Sequence, residues 1–397
     1  MTQQNNSSLV VEGSYDYIIC GGGMAGLSLA YYLKTSTLAH QSILIIEPQE
    51  KDKNDRTWAF WESHINTFEN ILFKKWSSVR FGDAAGNTQV LDIGNYQYKL
   101  LRGIDFYNFV IGELNKLGNI QWVKDSVNSI NEDSNFATVI TQNGARFQSN
   151  YVFDSTYKLK LTNKNNHNLL QHFKGYVIQT DKPTFNPDLP DMMNFGIEQH
   201  NECRFMYVLP FDEYTTIIEY TLFTERLLEK KEYDIELKKY ISEKLQLENY
   251  QILEEEFGII PMSDEATNEF PSKHVIRIGT AGGYTNPATG YTFQNTQKRL
   301  KRIVESLEKT GSPLIKDTWF KKRFLFYSSV LLNVLEKKRI PAADVFARLY
   351  ERNSPSQIFK FLDGETNFWE EIKIMYSTEK PKFIAAVFDV IKRKMLH

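Results

Sequence analysis

Hydrophobic and polar positions near the start of the chain follow the pattern of a strand, a tight turn and a helix. The stretch 15–34, YDYIICGGGMAGLSLAYYLK, contains the short apolar run 17–20, which is typical of a buried parallel strand. Three glycines interrupt the run, and a helix is predicted after them. A second apolar run, SILIIE at 42–47, follows. The pattern therefore predicts a strand–helix–strand unit of a parallel sheet.

The middle of the chain changes to a different pattern. Residues 101–118 carry apolar side chains at helical spacing, and short alternating strands are predicted between 120 and 153, with a turn at Asn143-Gly144. Beyond these, three strands of an antiparallel set and then two helices are predicted: 174–180, 203–211, 214–223, 234–247 and 294–309.

The first glycines have the spacing of a dinucleotide-binding loop. Gly21, Gly23 and Gly26 form G-x-G-x-x-G, which permits a tight turn, a close approach of backbone to a pyrophosphate, and close packing of helix on strand. Glu47 ends the second strand, where an acid accepts ribose hydroxyls. The residues predicted to contact the phosphates at the start of the helix are Gly21, Gly23, Met24, Ala25 and Gly26. A chance glycine turn is the alternative, and the motif does not separate NAD from FAD.

A second glycine-rich loop, GTAGGYTNPATGYTFQ at 279–294, lies between an apolar run at 274–278 and a helix. A two-domain NAD enzyme has no need of it, whereas the longer FAD requires support beyond the first loop. FAD is therefore predicted, with backbone amides at its phosphate and ribitol, a proline stiffening the turn over its ring, and the start of a helix near residue 290 aimed at the ring. A structural crossover is the alternative. The predicted contacts are Gly279, Thr280, Gly282, Gly283, Pro287 and Gly290.

These segments predict an α/β fold: a discontinuous Rossmann-like FAD-binding domain, of the two-domain flavin hydroxylase type, with an antiparallel β-sheet substrate domain and C-terminal helices. The predicted ranges are 13–65, 101–160 and 272–310 for the FAD-binding domain, 66–100 and 161–271 for the substrate domain, and 311–397 for a helical cap.

Composition narrows the choice of ligands. The 47 basic and 49 acidic residues nearly balance, so nucleic acid is not expected as a partner. The 27 Phe, 21 Tyr and 6 Trp fit either a well-filled core or a pocket lined with rings. Cys20 and Cys203 make no disulfide framework, which fits a reducing compartment, and the seven histidines show no metal spacing. No metal is predicted.

Several motifs together resemble the flavin-dependent lycopene cyclases of bacteria and plants. They occur in the family's order between about 15 and 376: the first glycine loop, NDRTWAFWES (54–63), GYVIQTDKPTFNPDLPDMMNF (175–195), YVLPFDEYTTIIEYTLF (207–223), GIIPM (258–262) and the second loop. Thr280 stands where related flavin hydroxylases carry an acid. The resemblance implies redox-neutral cyclisation of a C40 polyene such as lycopene into β-ionone rings, with reduced FAD stabilising the carbocation and NADPH as the source of electrons.

An acid that protonates an alkene must keep its proton at neutral pH, as a carboxyl in an apolar pocket does. Alternation in the strand 214–223 puts Ile217, Glu219, Thr221 and Phe223 on one face. Glu219 also matches the acidic position of the family's motif, so it is predicted to be the catalytic acid; a solvated carboxylate on an edge strand is the alternative. Many family members carry a second acid next, where this chain has Tyr220. The final base is not identified, and ionised Glu219 can serve.

Aromatic side chains are predicted to stabilise the carbocation. The predicted substrate-pocket residues are Trp58, Phe60, Trp61 and Tyr220, although strict alternation turns Tyr220 to the other strand face. Each of these rings fits a place in the core equally well. Arg56 is predicted to bind the cofactor, with pairing to Glu62 as the alternative.

A C40 hydrocarbon resides in the bilayer, so the protein is expected to touch a membrane without crossing it. The first ten residues are polar and show no signal-peptide pattern. Two segments, 321–339 and 382–394, combine apolar centres with basic ends and suit either an interfacial helix or a core helix. The expected location is cytoplasmic, peripheral on the inner face of the cell membrane; the oligomeric state is not predicted. A flavin monooxygenase, a prenyl-chain reductase and a non-enzymatic lipid carrier are the competing functions.

Overall fold

The computed structural model describes residues 11–161, 163, 165–316 and 319–395, so the polar first ten residues lie outside the described part. Strands and helices are numbered in chain order. The strands are β1 (Gly13–Cys20), β2 (Ile43–Ile46), β3 (Thr57–Glu62), β4 (Lys74–Trp76), β5 (Ser78–Gly82), β6 (Thr88–Asp92), β7 (Gln97–Arg102), β8 (Ile120–Val123), β9 (Val127–Glu132), β10 (Ala137–Thr141), β11 (Arg146–Asp154), β12 (Asn168–Gln179), β13 (Asp191–Asn194), β14 (Cys203–Pro210), β15 (Thr215–Thr224), β16 (Gln251–Ser263) and β17 (Val275–Arg277). The helices are α1 (Met24–Lys34), α2 (Gly103–Leu114), α3 (Lys230–Lys239), α4 (Phe293–Thr310), α5 (Trp319–Glu336), α6 (Ala342–Arg352), α7 (Pro355–Leu362), α8 (Phe368–Ser377) and α9 (Lys380–Met395).

The first sheet has the strand order β8-β2-β1-β11-β10-β9, with β17 beside β11. Strands β8, β2, β1, β11 and β17 run parallel. Both faces of β1 are covered: Ile19 belongs to the core shared with α1, α2 and α4, while Ile18 and Cys20 belong to a separate core on the opposite face. This double burial explains the uninterrupted apolar runs that predicted parallel strands.

The second sheet has the order β16-β12-β15-β14-β13-β5-β6 and is antiparallel except for the β13–β5 pair. Strands β12, β15 and β14 confirm the predicted antiparallel set. One face contributes to the core that also receives side chains of α5, α6 and α7, and the other face packs on α3. The predicted helix at 234–247 begins earlier, at Lys230, and ends in a π-helical turn, Tyr240–Lys244.

A small third sheet, β3-β7-β4, lies between the two large ones. Its side chains divide between the two cores: Phe60 and Leu101 pack with the parallel sheet, whereas Trp61, Tyr98 and Leu100 pack with the antiparallel sheet. The division of the chain into two domains and a cap stays a prediction.

The segment 321–339, which suited either an interfacial helix or a core helix, forms most of α5, and the apolar residues at its centre pack inside the protein. The centre of α5 is buried in the protein, with Leu332 and Val334 fully inaccessible, so this segment is a core helix. Helices α8 and α9 instead expose apolar side chains at helical spacing: Phe368, Trp369, Ile372, Tyr376, Ile384, Phe388, Ile391 and Met395. Among the described residues, none of the helices combines the length and apolar character that crossing a bilayer requires.

Candidate active site

A cavity of about 490 Å³ brings both glycine-rich loops together with the antiparallel sheet. The first loop contributes Gly23, Met24 and Ala25, the second contributes Gly279, Thr280 and residues 289–293, and strands β12, β15 and β16 form another wall. Two segments separated by more than 250 residues therefore line one cavity, as the sequence predicted.

The first loop has the conformation that its glycines permit. Gly21 has a φ of +97°, and a Cβ on Gly26 would collide with the Gly21 carbonyl oxygen. No heavy atom lies within 4 Å of the position of a Cβ on Gly23, which lines the cavity. The backbone N–H of Gly22 donates to Glu47 Oε2 at 2.6 Å, and Lys51 Nζ lies 3.5 Å from the other oxygen of that carboxylate. Glu47 thus lies beside the loop, at the end of β2.

The second loop uses its glycines in two ways. Gly279 and Gly290 line the cavity with φ of +62° and +73°. The N–H groups of Gly282 and Gly283 instead donate within the loop, to Gly279 O and Thr280 O, each at 3.1 Å. The prediction that these two amides face the cofactor is therefore wrong: they close the turn. Pro287 lies in the turn that precedes Gly290 and is absent from the cavity lining, and α4 begins at Phe293 rather than near 290.

Glu219 lies on the face of β15 that lines the cavity, together with Ile217. Its side chain is partly accessible, and this accessible surface faces the cavity. Thr221 Oγ1 donates to Glu219 Oε1 at 2.6 Å. Burial raises the pKa of Glu219 to about 8, the charge of Glu256 adds to the increase, and the hydrogen bond from Thr221 opposes it. The carboxyl accordingly holds its proton at neutral pH.

Three tyrosines that the sequence analysis missed line the cavity near Glu219. Tyr98 comes from β7, Tyr207 from β14 and Tyr291 from the second loop. Burial raises the pKa of Tyr291 to about 12, and burial also raises the pKa values of Tyr98 and Tyr207. These groups are neutral phenols across the physiological range and present ring faces as well as hydroxyl groups.

The predicted aromatic pocket is only partly correct. Trp58 lines the cavity, but Phe60 stacks on Phe293 with ring centroids 4.5 Å apart, and Trp61 stacks on Phe359 at 4.7 Å. Tyr220 lies on the opposite face of β15, fully buried against α3, where Arg204 Nη1 donates to its hydroxyl at 2.9 Å. Phe60, Trp61 and Tyr220 are therefore core residues, and their assignment to the pocket is wrong.

Basic and polar residues occupy the mouth of the cavity. Arg56 is exposed, lines the cavity and donates from Nη1 to the backbone oxygen of Asp55 at 2.7 Å. The alternative pairing of Arg56 with Glu62 is not found, since Glu62 accepts a hydrogen bond from buried Lys99 at 3.0 Å. The lining residues missed from the sequence include Lys51, Asp55, Gln171, Phe173 and Glu256. The GIIPM motif could have indicated this wall, because residues 258–261 line the cavity.

Two buried polar atoms in the wall point to a polar ligand. Gln171 Oε1 and Thr289 Oγ1 have no hydrogen-bond partner among the described residues, although both residues line the cavity. Such atoms are costly unless a ligand or water satisfies them. Within the same described ranges no group of His, Cys, Asp and Glu side chains could hold a metal ion.

The fold is that of a group of flavoproteins. A flavoprotein/dehydrogenase from Cytophaga hutchinsonii superposes with a TM-score of 0.63 at 10% identity, over 96% of this chain and 100% of that one. The halogenase PltM, solved in complex with FAD, superposes with a TM-score of 0.55 at 13% identity, over 88% of this chain and 79% of that one. The predicted fold class is confirmed by these likenesses.

The match to the Lycopene cyclase protein family covers residues 16–391, and the chain belongs to that family. A lycopene beta-cyclase from Pseudescherichia vulneris is 23% identical over 384 residues, covering 92% of this chain and 94% of that protein. The resemblance seen in the sequence motifs is thereby confirmed.

Proposed function

We propose that this protein is a lycopene cyclase, which closes the ψ-ends of lycopene into β-ionone rings without net oxidation or reduction. The observation that carries the proposal is the position of Glu219, a carboxyl with a raised pKa in an aromatic-walled cavity that both glycine loops share. A proton held at neutral pH in water-poor surroundings is what protonation of an isolated alkene requires.

In the proposed reaction Glu219 donates its proton to the terminal double bond of the polyene. The tertiary carbocation that results is stabilised by the ring faces of Trp58, Tyr98, Tyr207 and Tyr291, at roughly 0.5–2 kcal/mol for each well-placed ring. Attack by the neighbouring double bond closes the ring, and loss of a ring proton ends the reaction. The apolar wall, with Ile217 and Phe173, keeps water from quenching the cation.

The residues present fit FAD as the cofactor. The phosphates of FAD would fit the open space at Gly23 and the start of the helix at Met24 and Ala25. The polar edge of its ring would satisfy the oxygens of Gln171 and Thr289, which have no partner among the described residues. In this proposal Glu47 and Arg56 bind the ribose and a phosphate of FAD. The second glycine-rich loop contacts the other side of the cofactor through Gly279, Thr280 and Gly290. Reduced FAD would supply negative charge that stabilises the cation. NADPH is the proposed source of its electrons.

We further propose that the protein sits peripherally on the cytoplasmic face of the cell membrane and contacts it through α8 and α9. Trp369 is 77% exposed and Phe388 is 68% exposed, and lysines flank both apolar stripes: Lys373, Lys382, Lys392 and Lys394 are exposed. Apolar and aromatic side chains beside lysines suit an interface with anionic headgroups.

Sedimentation with anionic phospholipid vesicles tests the membrane contact. The double variant Trp369→Ser/Phe388→Ser is expected to bind vesicles at least tenfold more weakly than the unaltered protein. Val90→Ser serves as control, because Val90 is also exposed but lies on β6 in the other part of the molecule. Equal binding by the double variant would contradict the assignment of the surface.

Expression in a lycopene-accumulating bacterium tests the function. Lycopene is expected to decrease and carotenes with β-rings to appear in the chromatogram. Unchanged pigments in cells that contain folded, flavin-loaded protein would refute the proposal. In a purified assay, NADPH consumed in a fixed ratio to product would instead favour a reductase or monooxygenase.

A further inference from the structure

Glu256 is a second carboxyl in the wall of the same cavity. We propose, relying on the function proposed above, that Glu256 is the base that removes the ring proton after Glu219 has supplied the first one. Two carboxyls on neighbouring strands then divide the acid and base steps between them.

The geometry of the antiparallel sheet sets the two carboxyls side by side. Gly175 of β12 pairs with Glu219 of β15 on one side and with Glu256 of β16 on the other. Directly paired residues project from the same face, so both side chains flank Gly175, with backbones roughly 10 Å apart across two strand spacings. Gly175 places no side chain between the two carboxyls; a Cβ there would lie 3.6 Å from Ile217 Cδ1 and 3.7 Å from Glu219 Cβ. Glu219 and Glu256 both line the cavity, so a substrate end held between them would contact both carboxyls.

The surroundings favour ionisation of Glu256 over Glu219. Burial raises the pKa of Glu256 to about 7 and the charge of Asp55 adds to the increase, while the hydrogen bond from the Thr57 backbone N–H and the charge of Arg56 oppose it. Among the described residues no cation contributes to the pKa of Glu219, which the charge of Glu256 raises further. Glu256 accepts the Thr57 backbone N–H and lies near the charge of Arg56, whereas Glu219 accepts only the Thr221 hydroxyl among the described residues. A single proton shared by the two groups is therefore assigned to Glu219, the arrangement of a paired acid and base.

The proton balance closes without an oxidant or reductant. The O–H bond of Glu219 breaks as a C–H bond forms on the polyene, and the ring C–C bond then forms. A ring C–H bond breaks next: its proton goes to the Glu256 carboxylate, and its electron pair becomes the ring double bond. Transfer of the proton from Glu256 back to Glu219 restores the starting state. Tyr220, the residue after Glu219, lies on the other face of β15, so the second carboxyl of the cavity comes from β16.

Glu256 also has a structural contact, which the experiment must separate from catalysis. Its Oε1 accepts a hydrogen bond from the Thr57 backbone N–H at 3.0 Å, at the start of β3. Glu256→Gln keeps an amide oxygen for that bond while it removes the base. Glu254→Gln is the matched control, since Glu254 lies on the same strand but is exposed.

The test is conversion of lycopene in D₂O by the flavin-loaded proteins. Glu256→Gln is expected to lower ring formation at least 100-fold and to return deuterium-labelled lycopene, because the cation loses its proton back to Glu219. Glu219→Gln is expected to give neither rings nor labelled lycopene, and Glu254→Gln to match the unaltered protein.

Two results for Glu256→Gln would overturn the inference. The first is ring formation at the normal rate. The second is a loss of ring formation that is explained by a loss of bound flavin and is accompanied by no deuterium-labelled lycopene. Absence of rings with the unaltered protein would refute the proposed function itself, so the two failures are distinguishable.

Discussion

Glu219 and Glu269 show two opposite uses of a glutamate inside this molecule. Glu269 is 8% exposed and accepts hydrogen bonds from Arg299 Nε and from the Tyr284 hydroxyl, each at 2.7 Å. Glu219 faces the cavity with only the Thr221 hydroxyl as a hydrogen-bond donor among the described residues, and with no cation. A paired buried charge is a structural element, whereas an unpaired carboxyl with a raised pKa in a cavity is a candidate for proton transfer.

The role of the paired glutamate follows from the elements that it joins. Arg299 lies on α4, Tyr284 lies in the second glycine loop, and Glu269 lies between β16 and β17. The three side chains therefore hold the second loop against the helix that follows it. One glutamate fixes the loop that the cavity needs, and the other supplies the reactive proton inside the cavity.

Glu219→Gln should give the largest change, because it removes the proton donor and keeps the shape of the side chain. Ring formation is expected to fall by about 10²–10⁴-fold, the usual contribution of a general acid. Flavin content and thermal stability should not decrease. The measurement is product per flavin in a purified assay, and undiminished ring formation would remove Glu219 as the acid.

Glu269→Gln should act on stability rather than on chemistry. It removes the negative charge from the buried pair of Glu269 with Arg299, and removing one partner of such a pair lowers the free energy of unfolding by about 3–5 kcal/mol. Denaturant unfolding measures the loss, and product per bound flavin should stay near normal. Glu365→Gln is the control: its partner Lys298 lies 2.7 Å away, but both side chains are about half exposed, so a loss below about 1 kcal/mol is expected. Equal losses in the two variants would contradict the comparison.

Local patterns in the sequence identified the parts of the site that depend on neighbouring residues. The spacing of Gly21, Gly23 and Gly26 fixes a turn and a helix start, and period-2 alternation on β15 separates Glu219 from Tyr220. Glu256 was missed for two reasons. It is the last of three consecutive glutamates, and only this third one is buried. The pairing of β16 with β12, which brings it beside Gly175, is not visible in the sequence of either strand alone.

The aromatic residues of β3 show why apolar pattern is not enough to find a pocket. Both faces of this strand are covered, Phe60 by one core and Trp61 by another, so alternation does not tell which ring lines a cavity. The segment 321–339 misled for a related reason: basic residues at the ends of an apolar helix are compatible with a membrane surface and with a protein core. Only the packing of α5 decides between them.

The pH dependence of stability sharpens the contrast between the two glutamates. Glu219 has a pKa of about 8 in the folded protein, above the usual value near 4.5, so the folded state keeps a proton that the unfolded state releases. Protonated Glu219 makes its full contribution to the free energy of unfolding below about pH 4. This contribution is lost as the pH rises to 8, and the free energy of unfolding falls by at most about 1.4 kcal/mol per pH unit. Glu219→Gln should therefore gain stability relative to the unaltered protein between pH 5 and 8. A difference that stays constant with pH would contradict the raised pKa.

Thr221→Val tests the hydrogen bond that the Thr221 hydroxyl donates to Glu219. Its loss should raise the pKa of Glu219 by a further 0.5–1 unit, about 1 kcal/mol, because the bond favours the ionised form. The alkaline limb of the pH–rate profile, which reports deprotonation of the acid, should move upward by the same amount, with kcat lowered a few-fold. An unchanged limb would mean that another group sets it.

Tyr220→Phe should give the smallest effect, although this residue is next to Glu219 in the chain. Its hydroxyl lies on the far face of β15 and accepts a hydrogen bond from Arg204, so its removal should lower the free energy of unfolding by about 1 kcal/mol. Ring formation should stay within about twofold of normal, since nothing that lines the cavity changes. If Tyr220→Phe instead lost activity as Glu219→Gln does, the two faces of β15 would not be separate in function, and the pairing of Glu219 with Glu256 across Gly175 would lose its geometric basis.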